Sequence, residues 1–263
     1  MIALLSSDHY LTPLRRWREG AHFTHLARVD FDGETATSFV KIYPPGTGGV
    51  FGEALGYLAS VELGLPRAPH AAVIRLPVSR LKGLDAPDWL KQCGDSVWAW
   101  CCERIPGRTL AQFYTLEDEA DPAYAALLKT IHGPGIAAID ETFSNGDRNG
   151  GSFVRVSSKS WAVIDFGECL GSHCWPQTGP YDVGLTFLVK AAERLLAADH
   201  RKVMQSKAID AAHRLAIALP KWKPLLIELM DELQVGAAAN KVIPFLDDRT
   251  HVAWMPKRLG WLA

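Results

Sequence analysis

The chain has 263 residues, 48% of them hydrophobic, with 28 Lys and Arg against 29 Asp and Glu and a formal net charge of -1. That is enough apolar material for one sizeable domain or two lobes around a shared core, which excludes a disordered chain, and the near-neutral balance argues against broad binding to nucleic acid. No apolar run approaches the roughly 18 to 20 residues of a membrane span and the apolar start lacks the basic region of a secretory signal, so a soluble cytoplasmic protein with no membrane partner is expected.

Residues 24–31 alternate apolar and polar side chains, Asp32-Gly33 supplies a hairpin turn, and residues 37–43 run back as a second strand. Pro44-Pro45-Gly46 then ends the pairing. Over residues 51–63, Ala54, Leu55, Leu58, Ala59 and Val61 recur near helical period, Gly64 stops the helix and Pro66 follows. Residues 71–76 and 97–102 read as further strands, with Pro106-Gly107 as a connector. A helix is expected at 124–131, a polar loop at 145–152, and short strands at 152–156 and 161–165 on either side of Lys159. Helical segments follow from Val183, including 184–198 and 208–219. Strands first and helices later predict an α+β chain in two lobes, a small β-rich N-lobe over residues 1–103 and a larger, mainly helical C-lobe over 104–263. A cleft between such lobes is a common place for a small-molecule site.

Four features along this order carry chemistry. Lys41 lies near the end of the apolar strand Ser38-Phe39-Val40-Lys41-Ile42, where it either snorkels from an edge or projects into a cleft. Glu53 stands near the start of the next helix, where it favours the helix dipole or holds a cation. Asn145-Gly146-Asp147-Arg148-Asn149-Gly150-Gly151-Ser152 is either a plain turn or a functional loop. Ala162-Val163-Ile164-Asp165-Phe166-Gly167 ends an apolar strand in a carboxylate. Lysine, glutamate, aspartate loop and Asp-Phe-Gly in that order are the parts needed to transfer a phosphoryl group from ATP. A strand lysine meets the charged phosphates, a helix glutamate holds the lysine, one carboxylate binds a metal ion through hard oxygens, and another takes the acceptor proton.

On these residues the chain resembles the HipA-like protein kinases, in particular short members that lack an extra N-terminal domain. The matching stretches are Val40-Lys41, the Gly52-Glu53 helix ending Leu63-Gly64-Leu65-Pro66, Asn145-Gly146-Asp147-Arg148 and Val163-Ile164-Asp165-Phe166-Gly167, spread over about residues 20–190. The resemblance implies a two-lobed kinase fold, ATP and Mg2+ as cofactors, Lys41 on the nucleotide with Glu53 as its partner, Asp147 as catalytic base and Asp165 as metal ligand. Arg148 would support the loop or the transferring phosphate. Adenine would sit against Trp100 to Ile105, with Glu103 and Ile105 at the connector, although the Trp-rich strand is equally read as core.

Two departures from the family pattern stand out. Five residues after Asp147 the family has a metal-binding asparagine and this chain has Ser152, with Asn149 as a compensating ligand. The loop Glu19-Gly20-Ala21-His22-Phe23-Thr24 has one glycine, Gly20, and no G-x-G-x-x-G. The reading is therefore a kinase acting on a hydroxyl, with a protein serine or threonine as the expected acceptor. A nucleotide-binding pseudokinase and a small-molecule kinase of the aminoglycoside or choline type are the alternatives. The tail over 249–263, with Trp254 and Trp261, packs on the lobe or offers a strip to a regulatory protein partner, and Thr24 is a candidate for phosphorylation. Cys93, Cys101, Cys102, Cys169 and Cys174 read as reduced thiols, and neither His173-Cys174 nor the other histidines show a ligand spacing that argues for zinc.

Overall fold

A computed structural model describes every residue except Met1, Glu19, Thr115, Glu117, Ser158, Lys159, Leu262 and Ala263. Sequence expectations that touch residues outside this set are the loop that begins at Glu19, the strand connection at Lys159 and the end of the 249–263 tail.

Strands β1 (Ala3–Leu5), β2 (Tyr10–Trp17), β3 (Phe23–Phe31) and β4 (Glu34–Ile42) open the chain, followed by helix α1 (Gly49–Glu62), β5 (Ala71–Pro77) and β6 (Ser96–Glu103). The six strands form one sheet in the order β1-β5-β6-β4-β3-β2, antiparallel except where β1 runs parallel to β5. The β3–β4 hairpin turns on Asp32 and Gly33, both at positive φ (55° and 99°), as a two-residue turn that matches strand twist requires. The two edge strands go beyond the sequence expectation. β2 carries Pro13, Arg15 and Arg16 and two register irregularities against β3. Such features are tolerated at a sheet edge, where one row of backbone groups has no strand to meet.

Period-two alternation sorts the sheet into two faces. Val40 and Ile42 of β4 and Ala99 and Cys101 of β6 enter one core with Tyr10, Leu81 and Leu90, the last two from short 3-10 turns that cover that face. Tyr43, Val73 and Trp100 belong to the opposite face, which packs on α1. Helix α1 ends as expected, with Gly64 N–H donating to Val61 O and Leu65 N–H to Ser60 O, the pattern of a glycine-terminated helix.

Beyond the connector lie β7 (Arg108–Thr109), α2 (Asp121–Leu128), α3 (Gly133–Phe143), β8 (Phe153–Arg155) and β9 (Trp161–Val163), with β7-β8-β9 as a small antiparallel sheet. Then come α4 (Trp175–Thr178), α5 (Phe187–Leu195), α6 (Ala198–Glu232), α7 (Ala239–Arg249) and α8 (Trp254–Arg258). Helix α3 is buried along its whole length, its polar Asp140, Glu141 and Thr142 included, so it has no solvent-facing side to mark it as amphipathic. Helix α6 is far longer than the 208–219 segment and runs through Pro220 and Pro224. The tail packs on the helices: Arg249 Nε donates to Thr142 O at 2.9 Å, Arg258 Nε donates to Glu141 Oε2 at 2.8 Å, and the Arg249 guanidinium lies 4.2 Å from the Trp254 ring centre.

The architecture is thus the expected one, a mixed β-sheet region followed by a mostly helical one. Helix α1 joins them, because Phe51, Leu55 and Leu58 share one apolar core with Ile136 and Ile139 of α3 and Leu215 of α6. Among the described residues, no helix is long and apolar enough to cross a membrane.

Candidate functional site

With Val40 and Ile42 turned into the far core, Phe39 and Lys41 face the cleft, and the register pairs them with Cys102 and Trp100 of β6. Lys41 Nζ donates to Glu53 Oε1 at 2.9 Å and also hydrogen-bonds Asp165 Oδ1. Glu53 is buried (3% exposed) and fully used. Its Oε1 also accepts from Tyr43 Oη at 2.9 Å, and its Oε2 accepts from Phe166 N–H at 3.0 Å. Burial alone would push the Lys41 amine down, but Glu53, Tyr43 and Asp165 together hold it well above its ordinary value, so it stays charged.

Asp165 follows β9 at φ +66°, a left-handed conformation that L-residues adopt at a cost of about 1–3 kcal/mol unless their surroundings hold them. Here they do. Arg148 Nη1 donates to the carbonyls of Ile164 and Asp165, Lys41 takes the Asp165 side chain, and Glu53 takes the next N–H. Burial works to raise the Asp165 carboxyl, but Lys41, with Arg148 and His22, brings it below its ordinary value. Phe166 then seats on α1, where Gly52 and Gly56 make room. A methyl at Gly56 would lie 2.0 Å from the Phe166 ring, and one at Gly52 would lie 2.5 Å from Phe166 O.

Arg148 points into the interior, toward Asp140 and the Asp165 strand end. Its side chain is fully buried and paired with buried Asp140, through Nη2 to Oδ1 at 2.7 Å and Nε to Oδ2 at 3.0 Å, while its guanidinium lies 4.6 Å from the Phe166 ring centre. It therefore braces the loop and the Asp165 strand end. Asp140, which sequence reasoning passed over, also accepts from Asn145 Nδ2 at 3.1 Å.

A cavity of about 820 Å³ fills the cleft and is lined by Gly20, Lys41, Glu103, Ile105, Asp147 and Asp165, among others. It brings together residues from Trp17 through Glu168. Trp100 lines it and is also core, its ring edge-on to Tyr57. Asp147 is exposed, and its carboxyl is raised by partial burial and by the charges of Asp165 and Glu168. A second recess of about 460 Å³ opens beside it, lined by Gly146, Gly171, Tyr181 and Val183 as well as Asp147 and Glu168. Asn149 lines the main cavity while its side chain caps the loop, accepting from Gly151 N–H at 2.8 Å and donating to Asp147 O at 3.0 Å. Ser152 is 1% exposed, does not line the cavity, and its hydroxyl has no hydrogen-bond partner among the described residues. Thr24 lines the cavity from β3 and donates its hydroxyl to His22 O at 3.3 Å.

One cluster has no counterpart in the sequence reading. His22 Nε2 lies 3.1 Å and His173 Nδ1 lies 2.7 Å from Glu168 Oε1, a His/Glu/His group able to coordinate a metal ion. His22 and Glu168 stand 146 residues apart, so no local spacing signals the group.

No family model matches the chain, and no curated protein sequence does. Among solved structures, the chain is similar to the crystal structure of a Helicobacter pylori proinflammatory kinase, CtkA, with 14% identity and a TM-score of 0.48 over 98% of this chain and 99% of that one.

Proposed function

We propose that the chain is an ATP- and magnesium-dependent HipA-like kinase that moves the γ-phosphoryl group to a hydroxyl, with a protein serine or threonine as acceptor. Residues 1–103 would form the nucleotide lobe and residues 104–263 the catalytic one. The observation that carries this reading is the convergence of Lys41, Glu53 and Asp165 in one ion-paired cluster on the wall of a cavity that Asp147 also lines. A cavity of about 820 Å³ is in the range that holds a nucleotide.

In this mechanism Lys41, held charged by Glu53, binds the α- and β-phosphates. Asp165, whose side chain is 38% exposed although Lys41 is at 16%, presents a hard carboxylate to the cleft, and with Asn149 and Asp147 nearby the donor set suits magnesium rather than a softer ion. Magnesium, when bound, neutralises phosphate charge as it shifts to the leaving oxygen. The acceptor hydroxyl enters by the recess beside Asp147. Its oxygen bonds to the γ-phosphorus, the bond to the β–γ bridging oxygen breaks, ADP leaves, and the proton passes to Asp147. The raised Asp147 carboxyl is a better base than an ordinary one. Arg148 positions the Asp165 strand end and touches no reacting atom.

The test is an ADP-release assay with ATP, magnesium and a generic protein acceptor, repeated with amino sugars and with choline. ADP formed with protein, and reduced at least about 100-fold in Asp147→Asn and in Asp165→Asn, supports the reading; equal rates in the variants contradict it. ADP formed only with amino sugars or choline moves the acceptor to the small-molecule class. Ser152 favours one second reading, a nucleotide-binding regulatory module, because its orphaned hydroxyl lies off the cavity where the family's metal-binding asparagine is expected. ATP binding without ADP formation, in wild type and in Ser152→Asn alike, would support that module.

A further inference from the structure

We propose that His22, Glu168 and His173 bind a divalent transition-metal ion of the zinc class, which ties the loop before β3 to the segment after Asp165-Phe166-Gly167. The three ligand atoms lie within 4.8 Å of one another, and Glu168 Oε1 stands between the two imidazoles at 3.1 and 2.7 Å. Two nitrogens and a carboxylate oxygen with one further position left over are a common zinc ligand set. At bond lengths near 2.0–2.1 Å, tetrahedral ligands stand about 3.3–3.4 Å apart, so the contacts of 3.1 and 2.7 Å to Glu168 need to open by less than about 1 Å while the two ring nitrogens, within 4.8 Å of each other, need to draw together.

The surroundings orient this group as supporting contacts orient metal ligands. Glu168 Oε2 accepts His173 N–H at 2.9 Å, which fixes the carboxylate and leaves Oε1 for the ion. His173 O accepts Gly48 N–H at 2.6 Å, and the His22 ring packs 4.3 Å from the Tyr43 ring centre. The side chains are 13%, 19% and 26% exposed for His22, Glu168 and His173, sheltered yet reachable from solvent. Glu168 is already ionised: burial opposes this, but hydrogen bonds from His22 and His173 bring its carboxyl down to about 2.

In the ion-free state the facing nitrogens, His22 Nε2 and His173 Nδ1, share hydrogens with the carboxylate. To ligate, each neutral ring carries its hydrogen on the far nitrogen, His22 Nδ1 and His173 Nε2; a ring that starts as imidazolium releases one proton to solvent. Imidazole donors select zinc, cobalt, nickel or copper over magnesium and calcium, so this site is chemically separate from the one proposed at Asp165. Because His22 and Glu168 both line the cleft cavity, the ion would pin the Gly20–His22 loop at its rim. The inference does not depend on phosphoryl transfer.

The test is titration of cobalt(II) into the ion-free full chain at pH 7.5, followed by visible absorption and calorimetry, then competition with zinc. One equivalent of cobalt is expected, displaced by zinc and undisturbed by millimolar magnesium, with a zinc-dependent rise in Tm. His22→Asn and His173→Asn should each weaken binding at least about tenfold while still melting cooperatively in ion-free buffer. No stoichiometric uptake by the wild type overturns the proposal. So does unchanged affinity in both histidine variants, or binding abolished by Cys174→Ala and retained in the histidine variants.

Discussion

Lys41 on β4 and Asp165 after β9, separated by 124 residues, meet in a direct ion pair, and Glu53 of α1 closes the triangle through the same ammonium group. Each side chain of this group is placed by a different device. Strand alternation turns Lys41 to the cleft, the first turns of α1 carry Glu53, and a left-handed residue aims Asp165. The pairing holds both lobes on one charge.

Removing the ammonium should leave Glu53 buried without its cation. Lys41→Met is expected to lower stability by about 3–5 kcal/mol, the usual result of breaking a buried pair from one side, and to abolish ATP binding. Glu53→Gln keeps the shape but removes the charge facing Lys41 and turns one accepting oxygen into an amide nitrogen that cannot accept from its donor, so a stability loss with weakened ATP binding is expected. Thermal melts and calorimetry of the two variants check this.

The seat of Phe166 rests on the absence of a side chain at Gly56. Gly56→Ala puts a methyl group 2.0 Å from the ring, and overpacking of this kind costs about 1–3 kcal/mol. Because Phe166 N–H is also the donor to Glu53, the same variant should weaken ATP binding. A surface change such as Ile217→Ala, at an exposed position, should do neither.

Arg148 and Asp140 form a wholly buried pair. Asp140→Ala strands the guanidinium, and a loss of about 3–5 kcal/mol is expected in chemical denaturation. Arg148→Lys keeps a charge but not the fork that spans Asp140 and two carbonyls, so it should be destabilised as well.

The pair of carboxylates near the cleft gives two pH dependences of opposite origin. Glu168 is depressed from 4.5 to about 2 in the folded chain. Its contribution to stability is complete above the unfolded value near 4.5 and is lost as pH falls toward 2, on the order of 3 kcal/mol in all. Glu168→Gln should flatten that acid slope in ion-free buffer. Asp147 is raised instead, by burial first and then by Asp165 and Glu168, so it is a base only above the ordinary carboxylate range. The acid limb of kcat/KM should therefore sit above that range and move to lower pH in Glu168→Gln.

What the sequence made legible was short-range. The β3–β4 hairpin follows from alternation and Asp32-Gly33, and α1 from its apolar period and Gly64. Strand β2 stayed hidden because Pro13 and the arginines speak against a strand unless it is known to lie at an edge. Helix α3 stayed hidden because burial on all sides leaves it no solvent-facing side. In the cleft, Lys41, Glu53 and Asp165 could be named from their order, but the Asp140 brace behind Arg148 and the His22–Glu168–His173 group could not. Those contacts join residues whose proximity exists only once the lobes have packed.

The most direct measurement of the central claim is a calorimetric titration of ATP into wild type and Asp165→Asn, each with magnesium and then with EDTA. The account predicts binding to wild type that requires magnesium and is lost or greatly weakened in Asp165→Asn. Binding that ignores both the metal and the substitution, or no binding in any of the four titrations, would contradict it.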